Sequence, residues 1–81
     1  MVKVLLWGSL RQATGGRTEI ELDARTFKEL LDRAVEAYPG LEPQIRRGVS
    51  VAINGVIYRE AWFQPIPPDA EVVLMPYMTG G

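Results

Sequence analysis

The chain closes on Thr79-Gly80-Gly81, and this ending carries the most pointed chemistry in the sequence. Read as a true C-terminus, it puts the α-carboxylate of Gly81 on two residues without side chains. Glycine lacks Cβ and adopts backbone conformations barred to other residues. A thin tail of this kind can thread a narrow tunnel into another protein and present its carboxylate there as a reactant. The plain alternative is a frayed terminus, because chain ends are often poorly ordered. The body of the chain has to decide between the two.

Composition removes many other mechanisms. The 81 residues include no Cys and no His. There is therefore no thiolate nucleophile, no imidazole base, no disulfide and no zinc site of the usual kind. No acid–base pair is discernible, so the chain is expected to be non-catalytic alone and to bind no metal and no cofactor. Nine basic and ten acidic residues give a net charge of −1, which argues against nucleic acid as the main partner. No segment approaches the ~20 apolar residues that span a bilayer, and the N-terminus lacks a signal-peptide pattern. A soluble cytoplasmic protein is expected.

The elements that must position the tail follow from periodicity. The length implies one domain, 1–81, with a flexible tail at 78–81. Residues 2–7 are apolar and β-branched, and residues 18–22 alternate, so these segments are read as two strands of a hairpin. Residues 11–16 carry loop signals ending in Gly15-Gly16. Thr26 and Glu29 form a capping box. Phe27, Leu30, Leu31, Ala34, Val35 and Tyr38 then make one helical stripe, stopped by Pro39-Gly40. Residues 41–47 are read as a short helical turn. Residues 49–53 and 56–58 flank Asn54-Gly55, the strongest short hairpin signal. Residues 64–68 are turn-rich, and residues 71–77 form a last strand interrupted by Pro76. The pattern predicts an α+β β-grasp, or ubiquitin-like, fold: a mixed sheet of four to five strands on one main helix.

One face of that sheet must pack on the helix. Val2, Val4, Leu6, Ile20, Leu22, Val51, Ile53, Val72 and Leu74 are the core candidates. The opposite faces of the first and last strands should be polar, yet they carry Leu5, Trp7, Val73, Met75 and Tyr77. Contiguous apolar patches rich in Trp, Tyr and Met mark binding surfaces. The competing reading is a one-residue register slip, which exchanges the faces, or burial of Trp7 or Tyr77 under the 64–68 loop. Leu5, Trp7, Val73, Met75, Pro76, Tyr77 and Met78 are the candidate partner-binding residues. Thr79 and Gly80 are the candidate threading segment, and Gly81 is the candidate reactive group. Glu42, Arg46 and Arg47 are weaker docking candidates.

The stretch 68–76, Pro-Asp-Ala-Glu-Val-Val-Leu-Met-Pro, followed by Tyr77-Met78-Thr79-Gly80-Gly81, resembles the C-terminus of the small, sulfur-carrying subunit of molybdopterin synthase. Val2-Lys3-Val4-Leu5-Leu6-Trp7-Gly8 and Val51-Ala52-Ile53-Asn54-Gly55 are also similar to that family. Tyr77 stands where the family often has a second proline. The wider group is the MoaD/ThiS-like sulfur carriers. The resemblance implies an E1-like enzyme that uses ATP to adenylate the Gly81 carboxylate, and a sulfur donor protein that displaces AMP to leave a thiocarboxylate. It further implies a large subunit that takes sulfur from the tail for molybdenum cofactor biosynthesis. Carriers for thiamin or another sulfur-containing metabolite, a ubiquitin-like modifier and a plain interaction module remain alternatives.

Overall fold

A computed structural model of the chain describes residues 1–76. The tail candidates Tyr77, Met78, Thr79, Gly80 and Gly81 lie outside the described residues. Five strands are present: β1 (Val2–Leu6), β2 (Glu19–Leu22), β3 (Val49–Ile53), β4 (Val56–Tyr58) and β5 (Val72–Pro76). The helices are α1 (Leu10–Ala13), α2 (Phe27–Ala37) and α3 (Glu42–Arg47), with a 3-10 turn at Pro39–Leu41. The strands form one mixed sheet in the order β2-β1-β5-β3-β4. β1 and β5 run parallel at its centre, and the other neighbours are antiparallel. This is the β-grasp arrangement.

The register fixes which side chains share a face. Val4 pairs with Val72, and Val72 with Ile53; Leu6 pairs with Leu74, and Leu74 with Val51. All nine core candidates are buried on the helix side, so no register slip occurs. From α2, Phe27, Leu30, Leu31 and Ala34 complete the core, while Val35 and Tyr38 are half-buried at its edge.

Local chemistry sets the start of α2. The Glu29 N–H donates to Thr26 Oγ1 at 3.2 Å, the first half of the capping box. The Glu29 carboxylate reaches one residue further back than the motif implies and accepts from the Arg25 N–H at 3.1 Å. The loop 62–66 supplies the remaining acceptors: the Phe27 N–H donates to the Gln64 carbonyl and the Lys28 N–H to the Trp62 carbonyl, both at 2.9 Å. The orphan donors of the first turn are thereby satisfied. This loop lies over the α2 N-terminus and does not cover Trp7.

The segment 11–16, expected as loop, begins within the short helix α1. Leu10, its first residue, is fully buried, and four residues are too few to show a helical period. Gly40 lets the 3-10 turn approach α1, because a Cβ there would sit 2.8 Å from the Ala13 carbonyl oxygen.

Leu74→Ala should cost about 2–5 kcal/mol by urea denaturation, because it empties a fully buried central site. Thr26→Ala should cost about 1 kcal/mol, because it removes one cap. A larger loss from the cap than from the core would contradict a sheet-centred core.

Candidate functional site

The site is built on the sheet face that carries no helix. Three rows of side chains cross it. The first holds Glu21, Lys3 and Glu71. The second runs Glu19, Leu5, Val73, Ala52 and Ile57, each paired with the next across the five strands. The third holds Trp7, Met75, Ser50 and Arg59. Leu5, Val73, Ala52 and Met75 are half-buried by their neighbours, and Ile57 is 60% exposed. Acidic charge therefore falls away from the first row toward the third, which lies at the end of β5 that precedes the tail.

The end of β1 holds Trp7 in place. Its N–H donates to the Leu74 carbonyl at 3.1 Å, and its carbonyl accepts from the Leu10 N–H at 3.3 Å. Arg11 Nε donates to the adjoining Leu6 carbonyl at 2.9 Å. The backbone is thus fixed on both sides while the indole stays 52% exposed. An aromatic anchor held this way loses little freedom on binding, which is the benefit of preorganisation.

Pro76 closes the sheet beside it. Pro76 pairs with Val49, the first residue of β3, and lacks an N–H to continue a ladder. On the other side β1 has already turned away at Gly8, whose φ is +61°. A Cβ on Gly8 would lie in ordinary contact with Pro76 Cγ at 3.4 Å, so it is the left-handed backbone there, not space, that favours glycine. Both neighbouring strands therefore run out at the residue where the tail begins. Trp7, Gly8, Ser50, Ile57, Arg59, Met75 and Pro76 line a hollow of about 250 Å³ at this point. Its lining is apolar apart from the Ser50 hydroxyl and the Arg59 guanidinium, which bond each other, Arg59 Nε donating to Ser50 Oγ at 3.1 Å.

Of the candidates from sequence, the structure brings together Leu5, Trp7, Val73, Met75 and Pro76. Tyr77, Met78, Thr79, Gly80 and Gly81 lie outside the described residues. Glu42, Arg46 and Arg47 sit on α3, beside α2 and away from this face; Arg46 there pairs with Glu42 at 2.6 Å. Ser50, Ile57 and Arg59 join the hollow unannounced. The alternation of residues 49–53 already put Ser50 and Ala52 opposite the core, and the Asn54-Gly55 turn carries that face onto β4. A second aromatic pair, Trp62 and Phe63, is exposed on the helix side, where Trp62 packs edge-on against Phe27 with ring centroids 5.6 Å apart.

Comparison with known proteins bears on what such a face and tail do. The ThiS family model matches residues 4–81. The chain belongs to the ThiS family. It is thus a protein of the ThiS/MoaD type, a sulfur carrier or small ubiquitin-like protein. Solved structures agree in fold across the chain. A chain of the BexX/CysO complex of Amycolatopsis orientalis is similar at 21% identity, with 100% of both chains covered and a TM-score of 0.78. The small archaeal modifier protein 1 of Methanosarcina acetivorans is similar at 24% identity over 99% of this chain and 95% of that one, with a TM-score of 0.78. CysO of Mycobacterium tuberculosis, an antigen, is similar at 18% identity over 96% of this chain and 100% of that one, with a TM-score of 0.81. No curated protein matches this ThiS-family chain in sequence.

Trp7→Glu should shift folding stability by about 1 kcal/mol or less, because the indole is half in solvent and adds little to the core. Gly8→Ala should cost about 1–2 kcal/mol, because it forces a side chain into a left-handed conformation. Denaturant titration of the two variants checks both. A Trp7→Glu chain that fails to fold would show the indole to be structural.

Proposed function

We propose that this chain is a sulfur carrier whose Gly81 carboxylate is adenylated by an E1-like enzyme, converted to a thiocarboxylate and delivered to the large subunit of a molybdopterin synthase. The observation that carries the reading is the coincidence of two features at one place. The last strand ends, with no partner strand left on either side, at the rim of an apolar face anchored by a fixed, exposed Trp7. A partner covering that face receives the tail in a defined direction.

The chemistry suits a chain without Cys. A carboxylate is a poor electrophile, and its oxygen attacks the α-phosphorus of ATP to expel pyrophosphate and leave an acyl adenylate. A persulfide on the donor protein then attacks the carbonyl carbon and expels AMP, and a second donor thiol cleaves the resulting acyl disulfide, closing a disulfide on the donor and releasing the thiocarboxylate. The resulting thiocarboxylate is a sulfur nucleophile carried entirely by backbone atoms. ATP is consumed by the activating enzyme, and this chain supplies no acid, base or metal to the step. Family members work with E1-like activating enzymes and partner proteins, which supports the first half of the scheme. Choice of molybdopterin as the destination is supported by the resemblance of residues 68–81 to the synthase small subunit.

A second reading is favoured by the structural neighbours, which include two CysO chains and an archaeal modifier protein. On that reading the same tail donates sulfur to another metabolite, or joins a target lysine.

Copurification from the native host separates the two readings. A molybdopterin synthase large subunit should accompany the wild-type chain. Trp7→Glu or Met75→Glu should abolish the complex while leaving the fold intact. Deleting Gly81 should preserve the complex and stop sulfur transfer; cofactor synthesis that survives this deletion would overturn the proposal.

A further inference from the structure

The open sheet face is polarised in charge. Along the β2 edge of the face, Glu21 pairs with Lys3 and Glu19 with Leu5 across the β1–β2 ladder, and Asp69 and Glu71 lie at the start of β5. Lys3, Leu5, Pro68, Asp69 and Glu71 together line a second, shallower hollow of about 630 Å³. Four exposed carboxylates, those of Glu19 and Glu21 on the β2 edge and of Asp69 and Glu71 before β5, therefore share one corner of the face with Lys3 and the amino group of Met1. Among the described residues, no ion pair links Lys3 to any of the four.

The helix side is arranged differently. Its charges neutralise one another along the helices: Lys28 with Asp32 at 2.8 Å, Arg33 with Glu36 at 3.1 Å, and Arg46 with Glu42 at 2.6 Å. Such surface pairs add little stability, but they leave a locally balanced surface. The sheet face leaves its acidic surplus outward, and it does so at one end of the apolar stripe only. At the other end the charged side chain is Arg59, bonded to Ser50.

We propose that the E1-like adenylating enzyme, which covers this face as it receives the tail, carries a basic flank, of Lys or Arg side chains, that meets Glu19, Glu21, Asp69 and Glu71. The inference rests on the docking role proposed above. An apolar stripe alone can be engaged in either direction along its length. An acidic end opposite a basic flank admits one direction, because the reversed pose sets like charges together and strands the flank over Trp7 and Met75. The tail leaves from the non-acidic end, so fixing the direction aims the tail. Rim charges of this kind act mainly on the rate of encounter and its salt dependence.

The test measures association of the full-length chain with the E1-like adenylating enzyme of the same organism, by stopped flow at several ionic strengths. Glu19→Lys with Glu21→Lys should lower the on-rate about 10-fold at low salt and flatten its salt dependence. Lys3→Glu should raise it, and Glu36→Lys on the helix side should leave it unchanged. An unchanged on-rate in the double variant, with binding still abolished by Trp7→Glu, would overturn the basic flank and leave the docking face standing. Binding that survives Trp7→Glu would overturn the docking reading itself. A double variant that changes only self-association, read by sedimentation, would make a second copy of the chain the occupant and refute the proposal.

Discussion

The parallel ladder between β1 and β5, with Val4 on Val72 and Leu6 on Leu74, puts the last strand in the middle of the sheet. Parallel neighbours need a long crossover, and here everything from α1 to β4 lies between them. The consequence is that the C-terminal strand is held on both sides and cannot drift. Its inner face, Val72 and Leu74, is fully buried against the helix layer. Its outer face is thereby forced outward in fixed register, and Val73 and Met75 must lie beside Leu5 and Ser50.

Function follows from where that central strand stops. Gly8 turns β1 away just as β3 begins at Val49, and Pro76 has no N–H to offer either. β5 ends, at Pro76, beside the rim of its apolar stripe, next to a tryptophan whose backbone is bonded on both sides. On the proposed function, the docking surface and the last described residue before the tail belong to one strand, β5, packed between β1 and β3. A carrier that must place one carboxylate in several active sites is served by this coupling, because whatever recognises the body also receives the tail.

Much of this was legible in the sequence because the signals were strictly periodic. The stripe from Phe27 to Ala34, the Thr26 cap and the Asn54-Gly55 turn each specify their own local structure. The alternation Lys3-Val4-Leu5-Leu6-Trp7, against Glu71-Val72-Val73-Leu74-Met75, exposed the anomaly of an apolar outer face before any coordinates. What stayed hidden depends on tertiary neighbours. Leu10 starts a helix of a single turn, too short for a period, and it is fully buried where Gly40 lets the 3-10 turn come close to α1. The loop at 62–66 reads as turns, and only the fold shows its carbonyls completing the first turn of α2. Arg59 and Ile57 reach the site through the β4 register, which a three-residue strand scarcely encodes.

On the proposed function, the Gly81 carboxylate is the working group of the molecule. Intact mass of the unmodified-sequence protein purified from its native host, with its activating enzyme present, tests this most directly. The account predicts a species in which one C-terminal oxygen is replaced by sulfur, localised to Gly81 by fragmentation. Complete absence of that species under conditions where the activating enzyme is functional would contradict it.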